Sequence, residues 1–285
     1  MTNRTYSDLY SLIGSLSGVS SFTPAEKNNI LNFVNRRAYQ AYRQNKVWPR
    51  YIVGAESRPS TNNVVATTFS PSLKNSSSAS RENKTVTIRC TQSVDFVAGM
   101  SVVVSGLSGS VDPNGSYQVT SVSTASIESD TFTYDLLSGT GSETYAGSGQ
   151  VLAQQVPEID SFNRIWSTNP LDRNSAIEYE FWVGSDGANV INNNKDLNGF
   201  WVGYLKTWDG PYTDSSTNIP GEFFEYVAHA SYADFLRMDG QIDKAIAEEG
   251  VAQQYLLIEL DKAETQRNNN ALYRRISTYV SRQSR

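Results

Sequence analysis

The chain has 285 residues, of which 39% are apolar and 19% are charged, and its formal net charge is −5. Its single cysteine excludes an intrachain disulfide, and no apolar run reaches the ~18 residues that would span a bilayer. With one histidine and one cysteine, no Cys/His metal centre is expected.

Two helices are predicted near the N-terminus. The first covers residues 6–17, because Thr5 and Asp8 have the spacing of a capping box and apolar residues recur every three or four positions. The second follows Thr23, which has the same spacing to Glu26.

Residues 59–155 differ from this helical start in composition and in period. They are rich in Ser, Thr, Gly and Asn, and stretches such as 85–90 and 131–136 alternate between polar and apolar residues. The Asp-Pro-Asn-Gly sequence at 112–115 predicts a turn, and 71–84 is interpreted as a flexible joint. Several short strands separated by turns favour a small antiparallel barrel or sandwich.

The helical pattern returns towards the C-terminus, after two further strands over 176–184 and 200–208. A helix is predicted over 220–238, and a second over 241–266, before an interruption at Asn268–Asn270. The predicted apolar stripe of that last helix is Ile242, Ala245, Ile246, Ala252, Leu256, Leu260 and Ala263.

Together these elements predict an α+β fold, with a helical-bundle body, antiparallel strands and an inserted small all-β module, either a barrel or a sandwich. The predicted domains are residues 1–58, the first part of the body, residues 59–155, the inserted β module, and residues 156–285. The last domain supplies strands and long helices that complete the body, and it ends in a docking tail.

No catalytic, cofactor-binding or metal-binding residue is predicted. His229 falls inside a predicted helix among Val227, Ala228 and Ala230, which is typical of a packed or surface histidine rather than a catalytic base. Cys90 lies on the apolar side of its predicted strand and is interpreted as a core residue. The chain is therefore expected not to be an enzyme.

Four aromatic residues lie on or near neighbouring predicted strands, and two interpretations of them stay open. They are Trp182, Trp201, Tyr204 and Trp208. Such a group is typical of a sugar-stacking face, and also of core packing and subunit interfaces, where aromatic residues are enriched.

The charge is unevenly distributed along the chain. Residues 1–50 carry +5 and residues 261–285 carry +4, which leaves −14 on the residues between them. Basic ends on an acidic body favour docking on another protein. They favour nucleic-acid binding less, because the basic residues form no dense run.

The order of elements resembles the head–tail connector adaptor proteins of tailed bacteriophages. Three stretches carry the resemblance, and together they cover about half of the chain. They are TYSDLYSLIGSL with FTPAEKNNILNFVNRRAYQAYRQNKVWP, AIEYEFWVG with FWVGYLKTW and the loop DGPYTDSSTNIP, and IPGEFFEYVAHASYADFLRMDGQIDKAIAEEGVAQQYLLIELDKAE.

The resemblance implies a structural virion protein without a cofactor, made in the host cytoplasm and placed in the neck between capsid and tail. Such proteins form a ring, usually of about twelve copies, beneath the portal protein. The implied partners are other copies of the chain, the portal, a tail or nozzle protein and the double-stranded DNA that passes through the ring, with no membrane. The main alternative is a carbohydrate- or receptor-binding module of a phage tail, and a second alternative is an enzyme such as a wall-degrading hydrolase.

The C-terminal segment is the predicted portal-docking element. Residues 267–285 carry five arginines and no acid, and their apolar residues fit one helical face. The predicted docking residues are Arg267, Leu272, Arg274, Arg275, Ile276, Tyr279, Arg282 and Arg285.

Overall fold

A computed structural model describes residues 3–19, 21–45, 48–126, 129–172, 176–192 and 197–283, with side chains at all of these except 124–126, 129 and 267–283. The chain divides into two compact units. The helical unit consists of Met1–Ile52 and Trp208–Arg285, and the β unit consists of Val53–Thr207.

The described residues form four helices, which hold 31% of the chain, and sixteen strands. The helices are α1 (Tyr6–Ser17), α2 (Pro24–Gln44), α3 (Gly221–Met238) and α4 (Ile242–Gln283). The strands are β1 (Asn3–Arg4), β2 (Ile52–Pro59), β3 (Val64–Val65), β4 (Lys74–Glu82), β5 (Thr85–Cys90), β6 (Ser101–Ser105), β7 (Gly115–Ser126), β8 (Ser129–Asp135), β9 (Ser142–Tyr145), β10 (Gln150–Ala153), β11 (Ile159–Trp166), β12 (Glu178–Tyr179), β13 (Phe181–Val183), β14 (Ala188–Val190), β15 (Gly199–Lys206) and β16 (Ile219–Pro220).

Both predicted capping boxes are confirmed at the starts of α1 and α2. The Thr5 hydroxyl accepts from the Asp8 N–H at 3.1 Å, and the Thr5 N–H donates to the Asp8 carboxylate at 3.2 Å. At α2 the Thr23 N–H donates to Glu26 at 2.7 Å. Helix α1 ends at Gly18, whose φ of 69° is the left-handed conformation that glycine adopts without a Cβ clash.

Helix α3 is the central element of the helical unit. It packs against α1, α2 and α4, and ten of its eighteen residues are buried. Phe223 illustrates the contact, since its ring meets Trp48 edge-on at 5.0 Å and stacks on Tyr51 at 6.2 Å. A helix buried on most of its circumference supplies the core around which the others are arranged.

The β unit contains a closed six-stranded antiparallel barrel. The strands follow the order β10-β6-β7-β8-β5-β4, and β4 pairs back to β10. Strand β9 pairs with residues 79–82 of β4, on the edge opposite β5. Inward-facing residues such as Ile88, Val102 and Phe132 are fully buried and fill the barrel.

Two smaller sheets complete the β unit around a second core. One has the strand order β12-β11-β15-β2 and the other β13-β14-β3. Ile165, Phe200 and Val202 are buried in this core. The strands predicted over 176–184 and 200–208 thus pair within the β unit.

The predicted fold class is wrong: the protein is mostly β, and it has no helical-bundle body. One reason is that β2 hides its two-residue period. Its buried residues include Ser57 and Arg58, so polar side chains occupy inward positions where apolar residues would mark a strand. The barrel is one of the two arrangements expected for 59–155.

Two local predictions are also corrected. The segment 71–84, interpreted as a flexible joint, contains β4, which closes the barrel. Serine-rich sequence without apolar alternation does not reveal this strand, because β4 is held by backbone pairing on both sides. The predicted interruption at Asn268–Asn270 is absent, since α4 is continuous over Ile242–Gln283.

Candidate assembly surface on helix α4

Helix α4 packs on α3 along one narrow seam. Ala245, Ala252, Leu256 and Ala263 are buried, and their spacings of seven, four and seven residues place them on one side of the helix. Three of the four are alanines, so the seam covers a small part of the helix circumference. Most of α4 between 242 and 266 therefore lies outside it.

A cluster of charged residues fixes one border of this seam. Asp234 on α3 accepts from Arg37 Nε and Nη2, each at 2.7 Å, and from Arg36 at 2.6 Å and Arg237 at 3.1 Å. Arg37 also reaches Glu249 on α4 at 3.0 Å, and Arg237 contacts the same carboxylate. The cluster joins α2, α3 and α4.

The charges in this cluster keep one another ionised. Burial alone would raise the pKa of Asp234, but hydrogen bonds from Arg37 and Arg36 outweigh it and lower that pKa below its ordinary value. Burial likewise acts to lower the pKa of Arg37, and its bonds to Asp234 raise it instead. The position of α4 on α3 is thus held by paired charges.

His229 fixes the opposite border of the seam. Its Nδ1 lies 2.8 Å from a carboxylate oxygen of Glu248 on α4, and its ring stacks on Tyr255 with centroids 5.2 Å apart. These contacts join α3 to α4 and are those of a packing residue. That His229 has no catalytic role stays a prediction.

Large apolar side chains of α4 are exposed on both sides of the seam. Ile242 and Ile246, predicted to lie in the buried stripe, are 52% and 61% exposed. Among the described side chains of this helix, over residues 242–266, the full set is Ile242, Ile246, Val251, Tyr255, Leu257 and Ile258. Groups of exposed large apolar residues mark interaction sites.

The sequence of α4 contains the signal for this surface, although its apolar residues predict a single buried stripe. A helix that packs on one neighbour needs a single apolar stripe, whereas α4 carries apolar residues around more than half of its circumference. Val251, Tyr255 and Ile258 fall outside the predicted stripe. Their presence favours contact with something beyond α3.

The predicted portal-docking residues follow this surface along the same helix. Arg285 lies outside the described residues. For the other seven the structure describes the backbone, which belongs to α4, and not the side chains. Their role in docking stays a prediction.

The four aromatic residues of the predicted cluster differ in burial and belong to different units. Tyr204 is fully buried in the β unit, where its hydroxyl accepts from Arg58 at 2.5 Å and donates to Glu56 at 2.6 Å. Trp208 belongs to the helical unit and packs on Tyr39 at 5.5 Å. Trp182 is 59% exposed, and none of the other three aromatic residues of the group is among the exposed large apolar residues.

The described residues contain no metal-binding cluster and no membrane-spanning helix, and they define the state of Cys90. Among them, no group of three or more His, Cys, Asp or Glu side chains is placed to hold a metal ion. Within the same residues no helix is long and apolar enough to cross a membrane. Cys90 is fully buried in the barrel core, and burial, with the nearby Asp130 charge, raises the pKa of its thiol to about 11.

Comparisons of this chain with protein-family models, with curated proteins and with solved structures found no match.

Proposed function

We propose that this protein is a structural subunit of a bacteriophage neck, which assembles as a ring beneath the portal and connects the capsid to the tail. The observation that carries the proposal is the exposed apolar surface of α4. An assembly subunit needs such a surface, because burying apolar area is the main favourable term in protein association. The order of elements in the three stretches that resemble head–tail adaptors supplies the particular assembly.

The electrostatic pattern supports the same function. The residues between 51 and 260 carry −14, so a ring of about twelve copies would present a strongly negative body to DNA passing through it. Each phosphate that a protein neutralises adds salt-dependent affinity, which would slow passage. A negative body instead favours sliding.

Two measurements test this proposal. Native mass spectrometry and negative-stain microscopy of the purified chain, alone and co-expressed with the portal protein of the same virus, should show rings that co-purify with the portal. A chain truncated after residue 266 lacks the predicted docking residues, so it should retain its fold and its self-association and lose the portal.

Other results would contradict the proposal in distinguishable ways. A protein that stays monomeric both alone and with the portal refutes the ring. If such a monomer is retained by glycans and a Trp182→Ala variant is not, the carbohydrate-binding module becomes the better function, because Trp182 is the exposed aromatic residue of the group.

A further inference from the structure

We infer that copies of this chain associate head-to-tail through α4, with one flank of the helix in each copy meeting the opposite flank of α4 in the next copy. This inference rests on the proposed ring and names the surfaces that form it. It follows from the position of the exposed apolar residues around the helix, from the charges beside them, and from the symmetry that a closed ring requires.

The exposed residues fall on two separate flanks. At ~100° per residue, Ile242, Ile246 and Leu257 lie about 60–120° from the buried seam in one direction. Val251, Tyr255 and Ile258 lie about 80–140° from it in the other direction. On the side of α4 that faces α3, the buried seam separates the two groups. On the opposite, outward side, the exposed residue Gln254 lies between them.

The two flanks carry different charges. Glu264 is exposed on the first, about 100° from the seam, and Asp243 and Asp261 are exposed at its outer border, about 160° from the seam; we call this side the acidic flank. Lys244 and Lys262, the two cations of α4 between 242 and 266, both lie on the second, the lysine flank.

The lysine flank can accept a carboxylate from another copy. Lys244 donates to the uncharged Gln241 at 2.8 Å, so its charge is not neutralised by that contact. Lys262 pairs with Glu259 at 2.5 Å but keeps 60% of its side chain exposed. Glu248 borders this flank, where His229 holds it.

This arrangement favours a second copy of the chain as the occupant. Over residues 242–266, the first flank offers an apolar strip with acids and no cation, and the second offers an apolar strip with two lysines, with Glu248 and Glu259 closer to the seam, so two copies are complementary when unlike flanks meet. Two acidic flanks would instead place carboxylates against carboxylates. Contacts between unlike patches are heterologous, and they generate rings when the rotation closes.

Two neighbouring exposed residues allow a sharp test on the full chain. Leu257→Arg adds a cation to the acidic flank, and Ile258→Glu adds an anion to the lysine flank. Each change removes an apolar contact and sets like charges against the partner, so each should weaken association by at least about tenfold. Both residues are more than half exposed, so circular dichroism should show both variants folded.

The decisive step is to mix the two variants, each with a distinguishable mass tag. Leu257→Arg keeps an intact lysine flank and Ile258→Glu keeps an intact acidic flank, so the mixture can form the unlike contact between these two intact flanks. The contact between the two altered flanks sets the introduced arginine against the introduced glutamate, so the mixture can also extend. Native mass spectrometry should therefore show each variant alone as a monomer and the mixture as oligomers with equal numbers of both variants, the smallest being a 1:1 dimer. Gln254→Arg, on the outward face between the flanks, is the matched control and should assemble like the natural chain.

Several results would overturn the inference. A mixture that remains monomeric, or assembly abolished by one variant and untouched by the other, rules out unlike flanks as the contact. If both variants still form rings like those of the natural chain, this interface is refuted and the proposed function is unaffected. Rings that obey the mixing rule but do not bind the portal refute the neck function and leave the interface.

Discussion

Replacing Asp234 with alanine removes the carboxylate around which three arginines gather at the junction of α2, α3 and α4. Asp234 is 5% exposed, and its closest partner, Arg37, is 8% exposed. Removing one member of a buried ion pair costs about 3–5 kcal/mol, because the other charge remains buried without its counterion. The free energy of unfolding of the helical unit is therefore expected to fall.

The remaining contacts place the effect at the lower end of that range. Arg37 keeps its bond to Glu249 at 3.0 Å and one to Gln40 at 3.2 Å. Arg36 and Arg237 have side chains 54% and 38% exposed, so water solvates them once the carboxylate is gone. We expect a loss of about 3 kcal/mol.

Urea denaturation followed by circular dichroism at 222 nm measures this loss. All four helices of the described residues belong to the helical unit, so this signal follows that unit. With a slope of ~2 kcal/mol per molar urea, the midpoint should fall by about 1.5 M. Asp214→Ala, an exposed aspartate of the same unit, is the control and should change the free energy by less than about 0.5 kcal/mol.

The same substitution predicts a change in pH dependence. Because the pKa of Asp234 is lowered in the folded state, its stabilisation is complete above the ordinary aspartate pKa and is lost as pH falls through the folded-state pKa. The acid-induced loss of stability should be smaller in Asp234→Ala than in the natural chain. Equal midpoints for Asp234→Ala and Asp214→Ala at neutral pH would refute the reasoning.

Three further predictions concern the caps, the barrel and its thiol. Thr23→Ala removes the hydroxyl that accepts from the Glu26 N–H and should cost about 1 kcal/mol in urea denaturation, whereas an unchanged midpoint would show that the cap adds nothing. A fragment of residues 70–156 should fold with β-type circular dichroism and melt cooperatively, and one of residues 84–156 should not, because it lacks β4. Cys90 is buried with its pKa raised to about 11, so a thiol reagent at pH 8 should label it only in denaturant; rapid labelling of the folded chain would contradict that burial.

What the sequence could predict was local. The Thr-x-x-Asp and Thr-x-x-Glu boxes placed the starts of α1 and α2 because a cap depends on residues within four positions. The strands that were missed depend on distant partners. In β2, Arg58 is buried because Tyr204 and the Pro157 carbonyl bind its guanidinium, and neither is near it in sequence. No period within β2 records those contacts.

The exposed surface of α4 also depends on a contact that is distant in sequence. The apolar residues of α4 are visible in the sequence, but their burial depends on how much of the helix α3 covers. Alanines at 245, 252 and 263 make that cover narrow, and Ile246 and Leu257 are left exposed beside it. An apolar stripe predicts that a helix packs on something. Which residues of the stripe stay exposed depends on how much of it the neighbouring helix covers.

Closure of the barrel explains how residues 74–153 are accommodated as an insertion within the β unit, between β3 and β11. The first strand of the barrel pairs with its last, with Asn75 opposite Gln150 and Lys74 opposite Val151. The chain therefore enters and leaves the barrel at neighbouring positions, and an insertion with adjacent ends disturbs its host little. Closure also pairs the two terminal strands of the six-stranded order with each other, which limits edge-to-edge association of the barrel. The exposed apolar residues of α4 belong to the helical unit, so the interface proposed on α4 uses no residue of the barrel.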